Sequence, residues 1–134
     1  MTRPRKLIVL IDDSASVRLF FEHSLRQRDI EMVAFNVADD ALPLLRHQRP
    51  DLIFLDIIMP DKDGLTFLQE LRRLPLQSKT PVVIITSKDY AQDRQTAKAL
   101  GAVEFVTKPM SVQTILGILE RHLPDPVESN TGAK

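Results

Sequence analysis

Two adjacent aspartates, Asp12 and Asp13, follow the apolar run Leu7-Ile8-Val9-Leu10-Ile11. Asp56 closes the run Leu52-Ile53-Phe54-Leu55, Thr86 closes Pro81-Val82-Val83-Ile84-Ile85, and Lys108 follows Val103-Glu104-Phe105-Val106. If these runs are neighbouring strands, three carboxylates, a hydroxyl and an ammonium share one sheet edge. Two carboxylates about 4 Å apart repel by ~4 kcal/mol at an effective dielectric of about 20. Three crowded together force one to hold a proton at neutral pH unless a cation intervenes. Lys108 supplies one positive charge, and a divalent ion would supply the rest. An incomplete carboxylate cage, open to water and phosphate oxygens, suits Mg²⁺ better than Ca²⁺. Asp56 is then the natural nucleophile, because carboxylates form aspartyl phosphates, with Mg²⁺ and Lys108 stabilising the transferring group. Taken singly these residues say little: an acidic pair after a strand is a helix cap about as often as a metal site. Their joint placement carries the reading.

Helical and strand patterns alternate along the chain and must do the positioning. The five apolar residues at 7–11 are β-branched-rich and read as a strand buried on both faces, as do 52–55 and 81–85. Met32 to Phe35 reads as a shorter strand, and Val103 to Val106 as the fifth. Val17, Phe20, Phe21 and Leu25 make one helical stripe, capped by Ser14 or Ser16. Ala38, Ala41, Leu42 and Leu45 make a second, in which Pro43 should kink the helix or delay its start. Gly64 to Leu74 carries Phe67, Leu68, Leu71 and Leu74 on one side, with Asp63 expected as its cap. Tyr90 to Leu100 is a fourth helix ending at Gly101. Its core candidates are mostly alanines (Ala91, Ala97, Ala99), so it should be the least firmly anchored. Val112, Ile115, Leu116, Leu119 and Leu123 make the last stripe, leaving Ile118, like Tyr90, off the core and available to a partner. This alternation predicts an α/β fold, a doubly wound five-stranded parallel sheet with helices on both faces. Ligands of such sheets bind outside the carboxyl ends of the strands, where the polar residues cluster.

At 134 residues the chain is the size of one domain. We expect residues 1–124 to form it and 125–134, aperiodic and linker-like, to be a loose tail or the start of a linker. The 18 basic and 18 acidic residues cancel to a net charge of +0, so no whole-chain electrostatic case for nucleic acid or anionic membrane exists. Cysteine is absent, which excludes thiolate metal sites and disulfides. The first apolar run is too short for a signal core or a membrane span, and the chain reads as cytoplasmic. His23, His47 and His122 stand alone on separate helices and read as solvated surface residues. Glu22 with Arg26 and Glu70 with Arg73 read as solvated helix-face pairs, and Asp61 and Asp63 as loop residues rather than ligands.

The stretches "LIVLIDDSASVR", "PDLIFLDIIMPDKDGL", "PVVIITS" and "GAVEFVTKP" resemble, in order and spacing, the four signature blocks of the response-regulator receiver domain. The likeness spans roughly residues 6 to 123. It implies the flavodoxin-like strand order 2-1-3-4-5 and transfer of a phosphoryl group from a histidine kinase or histidine phosphotransfer protein onto an aspartate, with Mg²⁺. By position, Asp56 matches the phosphoacceptor, Asp13 the direct metal ligand and Asp12 a ligand acting largely through water. The backbone carbonyl of Ile58 would complete the protein's metal ligands. Thr86 matches the hydroxyl that bonds the phosphoryl group and Lys108 the ammonium, with the Lys108-Pro109 bond expected to be cis. Phe105 stands where the family has its switch aromatic, often tyrosine; phenylalanine can swing inward but offers no hydroxyl. Ser87 keeps the small side chain that access to Asp56 needs. Ile58 and Lys88 flank the path of an attacking water, and neither is suited to accept its proton.

The resemblance implies a switch whose output is binding a downstream protein, not an enzyme beyond its own phosphorylation and slow dephosphorylation. The favoured form is a receiver without its own output domain, and the alternative is a receiver excised from a longer multi-domain regulator. A haloacid dehalogenase-like phosphatase also ends a strand in a nucleophilic aspartate, but needs a second aspartate where Ile58 stands. A flavodoxin-like electron carrier would need a Ser/Thr/Gly-rich phosphate cradle after the first strand, which is missing.

Overall fold

A computed structural model describes residues 5–123; the expected tail at 125–134 lies outside the described residues. Strand β1 (Lys6–Ile11) is followed by helix α1 (Ala15–Leu25), β2 (Ile30–Phe35), α2 (Leu42–Leu45), β3 (Leu52–Asp56), α3 (Gly64–Arg73), β4 (Val82–Thr86), α4 (Ala91–Ala99), β5 (Glu104–Thr107) and α5 (Val112–His122). All neighbouring strands are parallel, in the order β2-β1-β3-β4-β5. Strands β3 and β4 are buried at every residue, which is why their sequences read as continuous apolar runs.

Alternate strand residues feed two cores. Val9, Ile11, Ile53, Leu55, Val82 and Ile84 face α2, α3 and α4, while Ile8, Leu10, Leu52, Phe54, Val83 and Ile85 face α1 and α5. On the second face the Phe21 and Phe54 rings meet edge-on at 4.8 Å between centroids. Burying one such aliphatic side chain is worth about 1.5–3 kcal/mol, so the sheet's central strands are its best-anchored elements and their carboxyl ends a firm platform.

Local chemistry explains several boundaries. Ser14, rather than Ser16, caps α1: its hydroxyl accepts the Val17 N–H at 3.3 Å. Ser111 does the same for α5. Pro43 delays α2, as expected; a 3-10 turn at Ala38–Ala41 comes first and the proline takes the first turn of the helix proper. Gly101 follows α4 with φ 82°, the left-handed conformation glycine adopts without strain. Asp63 stands at the N-cap of α3, yet its side chain makes no capping bond, so that expectation fails.

Other expectations also need correction. Ile118 is fully buried, because α5 covers the sheet with a face wider than the stripe counted above. Of the α4 alanines only Ala97 is buried, with Ala91 and Ala99 exposed, so that helix is held even more lightly than expected. His122 is no isolated surface residue: its Nε2 lies 2.6 Å from Glu104, which Arg121 also holds at 2.7 Å. Glu70 pairs with Lys62 at 2.7 Å. At the opposite end of the sheet from the aspartates, buried Gln77 donates to the carbonyls of Leu45 and Gln48, both at 2.7 Å. Arg72 there donates to Gln77, Thr80, Leu100 and Gly101 carbonyls.

Candidate functional site

The carboxyl ends of β1, β3 and β4 and the residue after β5 meet at one edge of the sheet. Asp12 and Asp13 begin the loop after β1, Asp56 is the last residue of β3, Thr86 the last of β4, and Lys108 follows β5. Carboxylate oxygens of Asp12, Asp13 and Asp56 all lie within 4.8 Å of one another. Asp12 and Asp56 are buried and Asp13 is exposed, so the cluster is closed beneath and open above.

Backbone geometry fixes the two buried carboxylates. Asp12 Oδ1 accepts the Ser14 N–H at 2.8 Å, and Asp56 Oδ1 accepts the Ile58 N–H at 3.2 Å. Both are two-residue turns that aspartate favours. Each acid keeps its second oxygen for the cleft, and Lys108 Nζ stands 2.8 Å from Asp12 Oδ2 and 3.4 Å from Asp56 Oδ2. Asp12 Oδ2 is buried without a hydrogen bond of good geometry, so the lysine contact there is ionic only. The Lys108-Pro109 bond is cis, as expected.

One ammonium does not neutralise this site. Burial, then repulsion from Asp12, raises the Asp56 pKa from 3.8 to about 6, against the opposing pull of Lys108 and the Ile58 N–H. Burial pulls the Lys108 ammonium down, but the contacts with Asp12 and Asp56 outweigh it and its pKa is raised. The site therefore holds surplus negative charge. A divalent, oxygen-seeking cation fits that donor set, since Asp12 Oδ2 lacks a hydrogen-bond partner and Asp13 opens to solvent.

The remaining expected residues stand around this centre in different ways. Thr86 is fully buried, and its hydroxyl is held locally: it donates to the Lys88 carbonyl and accepts the Lys88 N–H, both at 3.1 Å. Ser87 and Lys88 are exposed in the loop that follows, and the Ile58 side chain is exposed at the rim. Phe105 is half-buried against the α2–α4 core, with the Arg94 guanidinium 4.6 Å from its ring centroid.

Two contributors escaped the sequence reading. Gly64 brings the start of α3 against the end of β3, its N–H donating to the Ile57 carbonyl at 2.8 Å. A Cβ there would stand 2.1 Å from the Asp56 backbone oxygen, so only glycine allows this approach. The only sequence signal was the Asp-Gly step before a helix. Arg94, ion-paired to Asp89, gave no signal at all, because its aromatic partner lies in another element.

An acid cluster with a lysine stands at the carboxyl edge of a 2-1-3-4-5 parallel sheet, and comparison with known proteins identifies the family. The model of the response regulator receiver domain matches residues 8–120. The chain belongs to that family. Among solved structures it is similar to chemotaxis protein CheY4 of Vibrio cholerae, at 28% identity over 89% of this chain and 99% of that one, with a TM-score of 0.82. The BeF3-activated N-terminal receiver domain of Klebsiella pneumoniae RstA is 29% identical over 90% of this chain and all of that one, with a TM-score of 0.78. The receiver domain of a Pseudomonas aeruginosa PAO1 sensor histidine kinase, with a magnesium ion coordinated in its active site cleft, shares the fold. It has 22% identity, coverage of 90% and 99%, and a TM-score of 0.80. Receiver domains are signalling switches that bind Mg²⁺ at an acidic pocket, and the fold class and strand order expected from the sequence are those observed. Among the described residues no helix is long and apolar enough to cross a membrane.

Proposed function

We propose that this chain is a phosphorelay switch whose phosphoacceptor is Asp56. The carrying observation is the convergence of Asp12, Asp13 and Asp56 on Lys108 at the carboxyl edge of the sheet. With a pKa of about 6, the Asp56 carboxyl is mostly ionised at neutral pH and can act as nucleophile. Its Oδ2 attacks the phosphorus of a phosphohistidine on a histidine kinase or histidine phosphotransfer protein. The P–O bond forms as the P–N bond breaks, and the departing imidazole takes up a proton. Mg²⁺, held by Asp12, Asp13, Asp56 and the Ile58 carbonyl, would supply positive charge to the transferring oxygens. Lys108 adds an ammonium at the same place, and Thr86 offers its hydroxyl to the new phosphoryl group once released from Lys88.

Phe105 and the lightly held α4 then carry the change to the surface, where a downstream protein binds. The chain works in the cytoplasm, and its chemistry ends with its own phosphorylation and slow hydrolysis. We assign residues 1–124 to the receiver unit and 125–134 to a tail or the start of a linker. Incubation with acetyl phosphate and Mg²⁺ should add one phosphoryl group by intact mass, and removing Mg²⁺ with EDTA should abolish the addition. Labelling that proceeds equally in EDTA would refute the metal-assisted mechanism.

A further inference from the structure

Phe105 lacks the hydroxyl that would tie a tyrosine to a backbone group, yet its ring is not left to packing alone. Arg94 of α4 lays its guanidinium over the ring at 4.6 Å. The same guanidinium is gripped by Asp89 through two parallel bonds, Nε to Oδ1 at 2.6 Å and Nη2 to Oδ2 at 2.9 Å. Such a fork fixes the plane of the arginine, and a flat guanidinium on an aromatic face is a favourable cation–π stack. Asp89 lies in the β4–α4 loop, next to Lys88, whose backbone holds the Thr86 hydroxyl at both its N–H and its carbonyl. An unbroken chain of contacts therefore runs from Thr86 through Lys88, Asp89 and Arg94 to Phe105.

We propose that Asp89 and Arg94 form a latch that holds Phe105 in the unphosphorylated protein and opens when the β4–α4 loop moves. The proposal rests on the phosphoacceptor reading for its trigger. When Thr86 turns toward a phosphoryl group, both of its bonds to Lys88 must break, which frees the loop that carries Asp89. Without Asp89 the guanidinium loses its fixed plane and the ring its cover. The helix that carries Arg94 buries only Ala97 fully, so little packing opposes the shift. Arginine and aspartate here replace with an ionic clasp what a hydroxyl would do by hydrogen bonding. The clasp is exposed, so salt should weaken it.

Fluorophenylalanine labelling with fluorine NMR tests this, the Phe105 signal being assigned with Phe105→Leu. Arg94→Met and Asp89→Asn should each move that signal toward the position it takes in wild type loaded with BeF₃⁻ and Mg²⁺. Lys98→Met, which removes another α4 cation, should leave it in place. Acetyl phosphate labelling should quicken up to about fivefold in Arg94→Met, corresponding to about 1 kcal/mol of lost latch energy. A Phe105 signal unmoved in Arg94→Met, or moved there but not in Asp89→Asn, overturns the latch. If BeF₃⁻ leaves the wild-type signal in place while acetyl phosphate still labels the protein, the latch falls and the phosphoacceptor reading stands. If wild type takes no label, the phosphoacceptor reading falls and the trigger with it.

Discussion

Replacing Asp56 with asparagine should make the metal-free protein more stable, although the residue sits at the centre of the proposed site. The Asp56 side chain is nearly buried beside Asp12, and folding moves its pKa from 3.8 to about 6. A carboxyl whose pKa is raised by folding binds its proton more tightly in the native state. Native stability therefore falls as pH rises from about 4 to about 6, and the full cost applies above that window. At 1.36 kcal/mol for each tenfold change, the cost at neutral pH is about 3 kcal/mol. Asparagine is isosteric, keeps an oxygen for the Ile58 N–H and carries no charge to repel Asp12. It also deprives Lys108 of one partner, so a net gain of about 1–3 kcal/mol is expected. Urea unfolding in EDTA at about pH 7.5 should show the gain, and the same experiment near pH 4 should show it vanish. Added Mg²⁺ should stabilise wild type by mass action and narrow the gap. A variant less stable than wild type at neutral pH, or a gain independent of pH, would refute the electrostatic reasoning.

Asp13→Ala should weaken Mg²⁺ binding by at least about tenfold in a calorimetric or fluorescence titration, because it removes the exposed carboxylate; equal affinity would show that the ligand set is wrong. Gly64→Ala should destabilise the fold by about 2 kcal/mol or more. The clash with the Asp56 carbonyl exceeds the roughly 1 kcal/mol that alanine contributes inside a helix, and a stability gain in urea would show that α3 can move away. Ile58→Asn combined with Lys88→Glu should shorten the aspartyl phosphate lifetime about tenfold, or about 1.4 kcal/mol of barrier, by helping to orient the attacking water. Decay after donor removal at the wild-type rate or slower would show that these side chains do not control hydrolysis.

The site was legible because its residues terminate apolar runs that can only be buried strands. The polar residue ending each run is placed by the chain's own exit from the core, and a parallel sheet brings such exits to one edge. Pro43 was equally plain, since a missing N–H acts locally. What stayed hidden depends on partners distant in sequence. Asp63 has the residue type and backbone of a cap, yet its side chain makes no capping bond. His122 finds Glu104 across the β5–α5 connection, and Gln77 finds two carbonyls at the end of α2, pairings no local pattern announces. Ile118 was misplaced because a helix lying on a sheet buries a broader face than one stripe. The Thr86 hydroxyl bonds to the Lys88 backbone, a local turn that the apolar run ending at Thr86 does not announce.

The most direct test of phosphorylation at Asp56 is to locate the phosphoryl group chemically. Protein labelled with acetyl phosphate and Mg²⁺ can be reduced with borohydride, which converts an aspartyl phosphate to homoserine, and then mapped by peptide mass spectrometry. Homoserine should appear at position 56 in wild type, with no labelling at that site in Asp56→Asn. Homoserine at Asp12 or Asp13 in the wild-type protein, with residue 56 unmodified, would contradict it.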